Sequence, residues 1–69
     1  MTLTVNGEAK TLEDASLTIN ELLEKLDIPV EHIAVEVNRD IVPKARFAET
    51  GLNDGDVIEI VRFVGGGKS

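Results

Sequence analysis

The chain has 69 residues, enough for one small domain, because a single hydrophobic core commonly occupies about 100–150 residues. Apolar residues make up 42% and charged residues 29%, a balance that argues against intrinsic disorder. The net charge of −6 speaks against binding to nucleic acid and favours a partner with a basic surface. With no cysteine, the sequence excludes disulfides and thiolate metal sites.

A chain of this size has little room for a buried active site. We therefore expect a carrier, modifier or adaptor, not an enzyme, with no metal and no bound cofactor. No apolar run approaches the roughly 20 residues of a membrane-spanning helix, and the opening residues lack the basic-then-apolar pattern of a signal peptide. We expect a cytoplasmic protein that has no membrane partner and is a monomer when free.

Two strands joined by a tight turn open the predicted fold. Residues 2–6 alternate polar and apolar side chains, which is typical of a half-buried strand. Asn6-Gly7 follows, and these residues suit a type I′ turn, in which both central positions have positive φ. Residues 8–12 are predicted to form the returning strand.

A short amphipathic helix is predicted over residues 18–27. Thr18 to Glu21 has the form of a capping box, in which two side chains satisfy free amides at a helix start. Pro29 ends the helix, because the residue before a proline avoids the helical region. One apolar stripe follows the spacing i, i+3, i+4 and i+7, and it consists of Ile19, Leu22, Leu23 and Leu26.

The second half of the chain reads mainly as strands and turns. Phe47 is expected to pack inward, and so are alternate residues of the strand that follows the helix. The predicted elements are strands at 33–37, 41–42 and 57–64, a turn at 38–40, a single turn from Pro43 to Phe47, and a turn at Asp54-Gly55.

This order of elements predicts an α+β fold of the β-grasp (ubiquitin-like) type. A mixed sheet of four to five strands would carry one main helix packed across it, since the helix supplies the long connection that parallel strands require. Residues 1–64 would form this domain, and residues 65–69 a flexible glycine-rich tail. The predicted core consists of Leu3, Val5, Ile19, Leu22, Leu23, Leu26, Val35, Ile58 and Ile60.

The last predicted strand carries apolar side chains on both faces. If Ile58 and Ile60 face the helix, then Val61 and Phe63 face away from it. One helix cannot cover both faces of a sheet, so we expect Val61 and Phe63 to form a docking patch for a partner. The alternative is that loops fold over them.

Three glycines, Gly65, Gly66 and Gly67, follow this strand directly. Glycine allows the backbone to approach another surface closely, and residues 64–67 would extend about 13 Å at roughly 3.3 Å per residue. Such a tail can thread a narrow tunnel and bring a terminal carboxylate to a distant active site. The alternative is a linker without function.

Several segments spread along nearly the whole chain carry a family resemblance. They are Asn6-Gly7, the capped helix with Leu22-Leu23, residues 35–38, Ile41-Val42-Pro43-Lys44, residues 54–61, and Phe63-Val64-Gly65-Gly66-Gly67. Together they resemble the ThiS family of thiamine-biosynthesis sulfur carriers. The resemblance implies a protein that is a substrate of other enzymes and not itself a catalyst.

For the tail, the resemblance implies a specific chemistry. The carboxylate of Gly67 is adenylated with ATP by an ubiquitin-activating-like adenylyltransferase of the ThiF type, while Gly65 and Gly66 thread the tail into that enzyme. A sulfur donor enzyme then supplies the sulfur that replaces AMP, which gives a thiocarboxylate. A thiazole synthase of the ThiG type takes this sulfur for the thiazole ring of thiamine.

The chain departs from the family at its end, where Lys68 and Ser69 follow Gly67. If they are native, the Gly67–Lys68 bond must be cut before Gly67 has a free carboxylate, which is the interpretation we favour. The alternative is an artificial addition.

Two other functions stay open at this point: a ubiquitin-like sulfur carrier for molybdopterin, cysteine or a specialised metabolite, and a non-catalytic interaction module. Arg39, Lys44 and Arg46 cluster in sequence, and they either pair with acidic neighbours or contribute to a partner surface.

Overall fold

A computed structural model of the protein describes residues 1–63, which form a five-stranded mixed sheet with one helix on one face. The elements are β1 (Thr2–Val5), β2 (Glu8–Thr11), β3 (Leu17–Thr18), α1 (Ile19–Lys25), β4 (Ile33–Val37), β5 (Asp40–Val42), a turn of 3-10 helix (Lys44–Arg46), β6 (Gly51–Leu52) and β7 (Val57–Arg62). The sheet order is β2-β1-β7-β4-β5, and β3 and β6 form a separate two-stranded ribbon. The predicted β-grasp fold is confirmed.

Two tight turns with left-handed residues form the hairpins at the two edges of the sheet. Asn6 and Gly7 have φ values of 50° and 84°, as the prediction of a type I′ turn requires. Asn38 and Arg39, with φ values of 51° and 75°, form the turn of the β4–β5 hairpin. This turn has only two central residues, so Asp40 pairs with β4 and belongs to β5. Our prediction of a turn over 38–40 was therefore one residue too long.

The capping box at the start of α1 is confirmed. The Glu21 N–H donates to Thr18 Oγ1 at 3.2 Å, and the Thr18 N–H donates to Glu21 Oε1 at 2.9 Å. The helix ends at Lys25, two residues before the predicted end, because Asp27 adopts a left-handed conformation with φ 58°. The Ile28 N–H then donates to the carbonyl of Leu23 at 2.9 Å, which closes the helix terminus.

The core lies between α1, the ribbon and the inner face of the sheet. Most of the predicted core residues are buried, and so is Phe47, whereas Leu26 and Ile60 are only partly buried and pack against the margin of the core. Leu17 and Leu52 are also buried, because they pair in the ribbon that the sequence analysis missed. The buried residues are Leu3, Val5, Leu17, Ile19, Leu22, Leu23, Ile33, Val35, Phe47, Leu52 and Ile58.

Strand β7 occupies the centre of the sheet. It pairs parallel to β1, with Thr4 opposite Val57, and antiparallel to β4 along nearly its whole length. The prediction that the mixed sheet contains parallel strands is confirmed. Among residues 1–63, no helix is long and apolar enough to cross a lipid bilayer.

Candidate functional site

The residues predicted to carry the tail chemistry, Gly65, Gly66 and Gly67, lie outside the described residues, as does the domain boundary predicted at residue 64. The structure shows instead the strand that leads to them. β7 ends at Arg62, and the N–H of Phe63 donates to the His32 carbonyl at 2.7 Å. The candidate site is therefore the C-terminal part of β7 and the sheet surface around it.

The backbone of β7 bonds alternately to its two neighbouring strands. The backbone groups of its odd-numbered residues point toward β4, where the Asn38 N–H donates to the Val57 carbonyl at 2.7 Å. The backbone groups of its even-numbered residues point toward β1, where the Asn6 N–H donates to the Ile58 carbonyl at 2.9 Å. Because β1 ends at Val5, no backbone group of β1 is available to pair with β7 beyond Ile58.

A side chain extends the pairing beyond the end of β1. The Ile60 N–H donates to Asn6 Oδ1 at 2.7 Å, and Asn6 Nδ2 donates to the Ile60 carbonyl at 3.2 Å. Asn6 thus occupies the place of the next strand residue. The sequence pattern predicts Asn6 only as a turn residue, and this second role was not predicted.

A second turn asparagine holds the start of β7. The Val57 N–H donates to Asn38 Oδ1 at 2.9 Å, and Asn38 Nδ2 donates to Asp56 Oδ1 at 3.0 Å. The other oxygen of Asp56 accepts from the Asn53 N–H at 2.9 Å. Asp54 in turn accepts from the Thr2 N–H at 2.7 Å. Asp54 and Asp56 are therefore structural residues of the turn, as their flanking of Gly55 predicts.

The face of the five-stranded sheet away from α1, here called the outer face, carries all four large hydrophobic side chains that are exposed among residues 1–63. Their exposed fractions are 73% for Ile41, 43% for Val57, 53% for Val61 and 54% for Phe63. The predicted orientation of the last strand is confirmed, since Ile58 is buried and Ile60 partly buried on the opposite face. Ile41 was not predicted to join this surface, because a two-residue strand is too short to show a period.

Two acidic side chains lie among these hydrophobic residues. Glu36 of β4 stands directly opposite Glu59 of β7, and Ile41 of β5 stands opposite Glu36. Both carboxylates line an open concavity of about 730 Å³ together with Asn38, Arg39 and Val57. This pair was not predicted, since the register between two strands is not visible in the order of residues.

The cationic residues that follow β4 do not form one cluster. Arg39 lines the concavity of the outer face, whereas Lys44 lines a separate depression beside Leu23 of α1. Arg46 lies 3.9 Å from the carboxylate of Glu49, with both side chains largely exposed. Of these three residues, only Arg39 therefore lies beside the outer face of the sheet.

Comparisons with known proteins agree with one another. The ThiS family matches residues 2–67. The sulfur carrier protein ThiS of Bacillus subtilis is 42% identical over 65 residues, which are 94% of this chain and 98% of that protein. The crystal structure of thiamine biosynthesis protein ThiS from Geobacter metallireducens superposes with a TM-score of 0.87 at 39% identity, covering 97% of this chain and 100% of the other.

A longer relative contains the same domain as one part. The thiazole synthase of Paramagnetospirillum magneticum is 46% identical over 67 residues, which are 97% of this chain. Those residues are only 20% of the synthase, so the chain spans about a fifth of that relative. In that protein, a segment similar to nearly the whole of this chain shares a polypeptide with a much larger remainder.

Proposed function

The chain belongs to the ThiS family, and on that premise we propose that it is a sulfur carrier of thiamine biosynthesis, a protein substrate and not a catalyst. The observation that carries the proposal is the family match over residues 2–67. The similarity to the Bacillus subtilis sulfur carrier, which extends over 98% of that protein, supports it.

The proposed chemistry takes place at the carboxylate of Gly67, which hydrolysis of the Gly67–Lys68 peptide bond first sets free in the 69-residue chain. A carboxylate is a poor electrophile, so its oxygen first attacks the α-phosphate of ATP, which forms an acyl-adenylate and releases pyrophosphate. Sulfide supplied by a sulfur donor enzyme then displaces AMP and leaves a thiocarboxylate. Because sulfur is held as a thioacid, the carrier needs no cysteine, and the sequence has none. The segment that matches the family ends at Gly67, which supports this residue as the reacting terminus.

The outer face is the proposed docking surface for the enzymes that act on the tail. Val61 and Phe63 are half exposed and lie at the end of β7 from which the tail continues. A partner that covers these side chains removes apolar area from water, and its active site then lies within reach of Gly67. We propose that an adenylyltransferase of the ThiF type and a thiazole synthase both use this surface.

The thiazole synthase has additional support as a partner. Two proteins named thiazole synthase, from Paramagnetospirillum magneticum and Magnetococcus marinus, contain segments 46% and 37% identical to this chain. This chain covers 20% and 21% of their lengths. A segment and a synthase that share one polypeptide meet at high effective concentration, which suits a carrier and its sulfur acceptor.

The test compares a chain that ends at Gly67 with the 69-residue chain, each incubated with ATP, the adenylyltransferase and a sulfur source. Intact-mass spectrometry should show exchange of one oxygen for sulfur in the chain that ends at Gly67. The 69-residue chain should stay unchanged, because Lys68 carries a charge that is costly to desolvate in a tunnel shaped for glycine.

Two outcomes would contradict the proposal. Equally fast formation of a thiocarboxylate at Ser69 would show that Gly67 is not the reacting residue. A chain that gains no sulfur in either form would favour the interaction module over the sulfur carrier.

A further inference from the structure

Two carboxylates of like charge face each other near the middle of the outer face. Glu36 and Glu59 are directly opposite in the antiparallel register of β4 and β7. Both side chains point away from α1, because their neighbours Val35 and Ile58 point inward and are buried. Directly opposite residues have Cβ atoms about 4.5–5.5 Å apart, a distance at which like charges destabilise a strand pair.

The described residues give this pair no cation of its own. The ion pairs among residues 1–63 are Lys10–Glu8, Lys25–Asp14 and Arg46–Glu49. None of them includes Glu36 or Glu59. Arg39 lines the same concavity, yet it forms no ion pair with Glu36 or Glu59 within 4.0 Å. The fold therefore places two carboxylates side by side, and neither forms an ion pair with another of residues 1–63.

The surroundings of the pair are apolar. Val57 and Val61 stand on either side of Glu59 along β7, and both are exposed. Ile41 stands opposite Glu36 on β5 and is 73% exposed. A protein that covers these side chains excludes water from the carboxylates between them, and exclusion of water strengthens any charge interaction made there.

We propose that Glu36 and Glu59 together bind an arginine side chain of the thiazole synthase that docks on the outer face, an inference that rests on the proposed function. A guanidinium is planar, presents five N–H donors and is weakly hydrated, so it can bridge two carboxylates while its plane lies against apolar side chains. A lysine offers one compact charge without this geometry. We choose the synthase as the partner because two proteins named thiazole synthase contain a segment similar to this chain in the same polypeptide.

The test measures the affinity of the thiazole synthase for the parent chain, for Glu36→Gln, for Glu59→Gln and for the double variant, by titration calorimetry. The double variant should bind about tenfold more weakly, because an arginine covered in the complex loses its counter-charges. The double variant Glu13→Gln and Glu24→Gln is the matched control, since it removes the same charge from exposed sites away from the outer face. This control should bind like the parent.

A stability measurement separates lost recognition from lost folding. Removing either carboxylate relieves the repulsion between them, so the urea midpoint of Glu36→Gln and Glu59→Gln should rise while affinity falls. High salt should reduce the difference in affinity between parent and double variant.

The outcomes distinguish this inference from the proposed function. If the parent binds the synthase and the Glu36→Gln, Glu59→Gln double variant binds equally well, the arginine site is overturned and the carrier function stands. If the control loses as much affinity as the double variant, only net charge matters and the site is again overturned. If the synthase does not bind the parent, the docking proposal and this inference both fall.

Discussion

Asn6 holds both polar backbone groups of Ile60, accepting from its N–H at 2.7 Å and donating to its carbonyl at 3.2 Å. The two residues are 54 positions apart in sequence. Asn6 has a φ of 50°, and this left-handed conformation places its side chain beyond the end of β1. A turn residue thus supplies the last link between the first strand and the strand that leads into the tail.

Replacing Asn6 by glycine isolates this contribution. Glycine keeps the positive φ of the turn without strain, so the main change is the loss of two hydrogen bonds to Ile60. We expect the free energy of unfolding to fall by about 1–2 kcal/mol, measured in urea. Amide exchange at Ile60 should become faster. Asn6→Asp keeps the acceptor and loses the donor, so its free energy of unfolding should lie between those of Asn6→Gly and the parent. An unfolding free energy equal to that of the parent would show that the side chain stabilises nothing.

The helix stripe is the second target. Leu22 is fully buried in the core, and Leu22→Ala should lower the free energy of unfolding by about 2–5 kcal/mol through lost transfer energy and a residual cavity. Thermal unfolding followed by circular dichroism measures the change. Ile41→Ala is the control, because Ile41 is exposed and its truncation should change stability by less than about 0.5 kcal/mol. An unchanged melting temperature for Leu22→Ala would contradict the helix register.

Phe63→Ala tests the docking surface. Phe63 is 54% exposed, so its truncation should leave the urea midpoint near that of the parent. Its binding to the adenylyltransferase should weaken, because the apolar area that the partner covers becomes smaller. Val30→Ala, which shortens a partly buried side chain outside the outer face, is the control for binding. Equal affinity of Phe63→Ala and the parent would remove Phe63 from the mechanism.

The tail is tested by Gly66→Val in the chain that ends at Gly67. A β-branched side chain next to the reacting residue should obstruct passage through a narrow tunnel, so sulfur loading should be lost in the mass-spectrometric assay. Stability should not change, since the buried core residues among residues 1–63 lie between Leu3 and Ile58. Sulfur loading of Gly66→Ala should be reduced less than that of Gly66→Val. Sulfur loading of Gly66→Val at the parent rate would exclude a tight tunnel.

Local chemistry in the sequence predicted much of the fold. The turn at Asn6-Gly7 and the capping box of Thr18 and Glu21 depend on residues close together in the chain, and both are confirmed. The alternation along the last strand likewise predicted which side chains of β7 are exposed. In each case the physical cause acts over a few residues, so the pattern is visible without knowledge of the fold.

Features that depend on distant residues were not predicted. The ribbon of β3 and β6 has two residues in each strand, which are too few to show a period in the sequence. It forms because Leu17 and Leu52 pair across the two strands and are buried together. The opposition of Glu36 and Glu59 depends on the register between β4 and β7. Arg39 adopts a φ of 75°, although a residue with a long side chain rarely adopts positive φ. The two-residue hairpin turn imposes this conformation.

The central position of β7 has a consequence for how the protein is made. In the order β2-β1-β7-β4-β5, the first hairpin and the second hairpin are joined in the sheet by β7. A translation product that stops before Val57 therefore contains two hairpins with no strand between them, and the parallel pairing with β1 must wait for nearly the whole chain. The ribosome adds Gly67 after β7, so every polypeptide that carries the glycine terminus also carries the strand that completes its sheet.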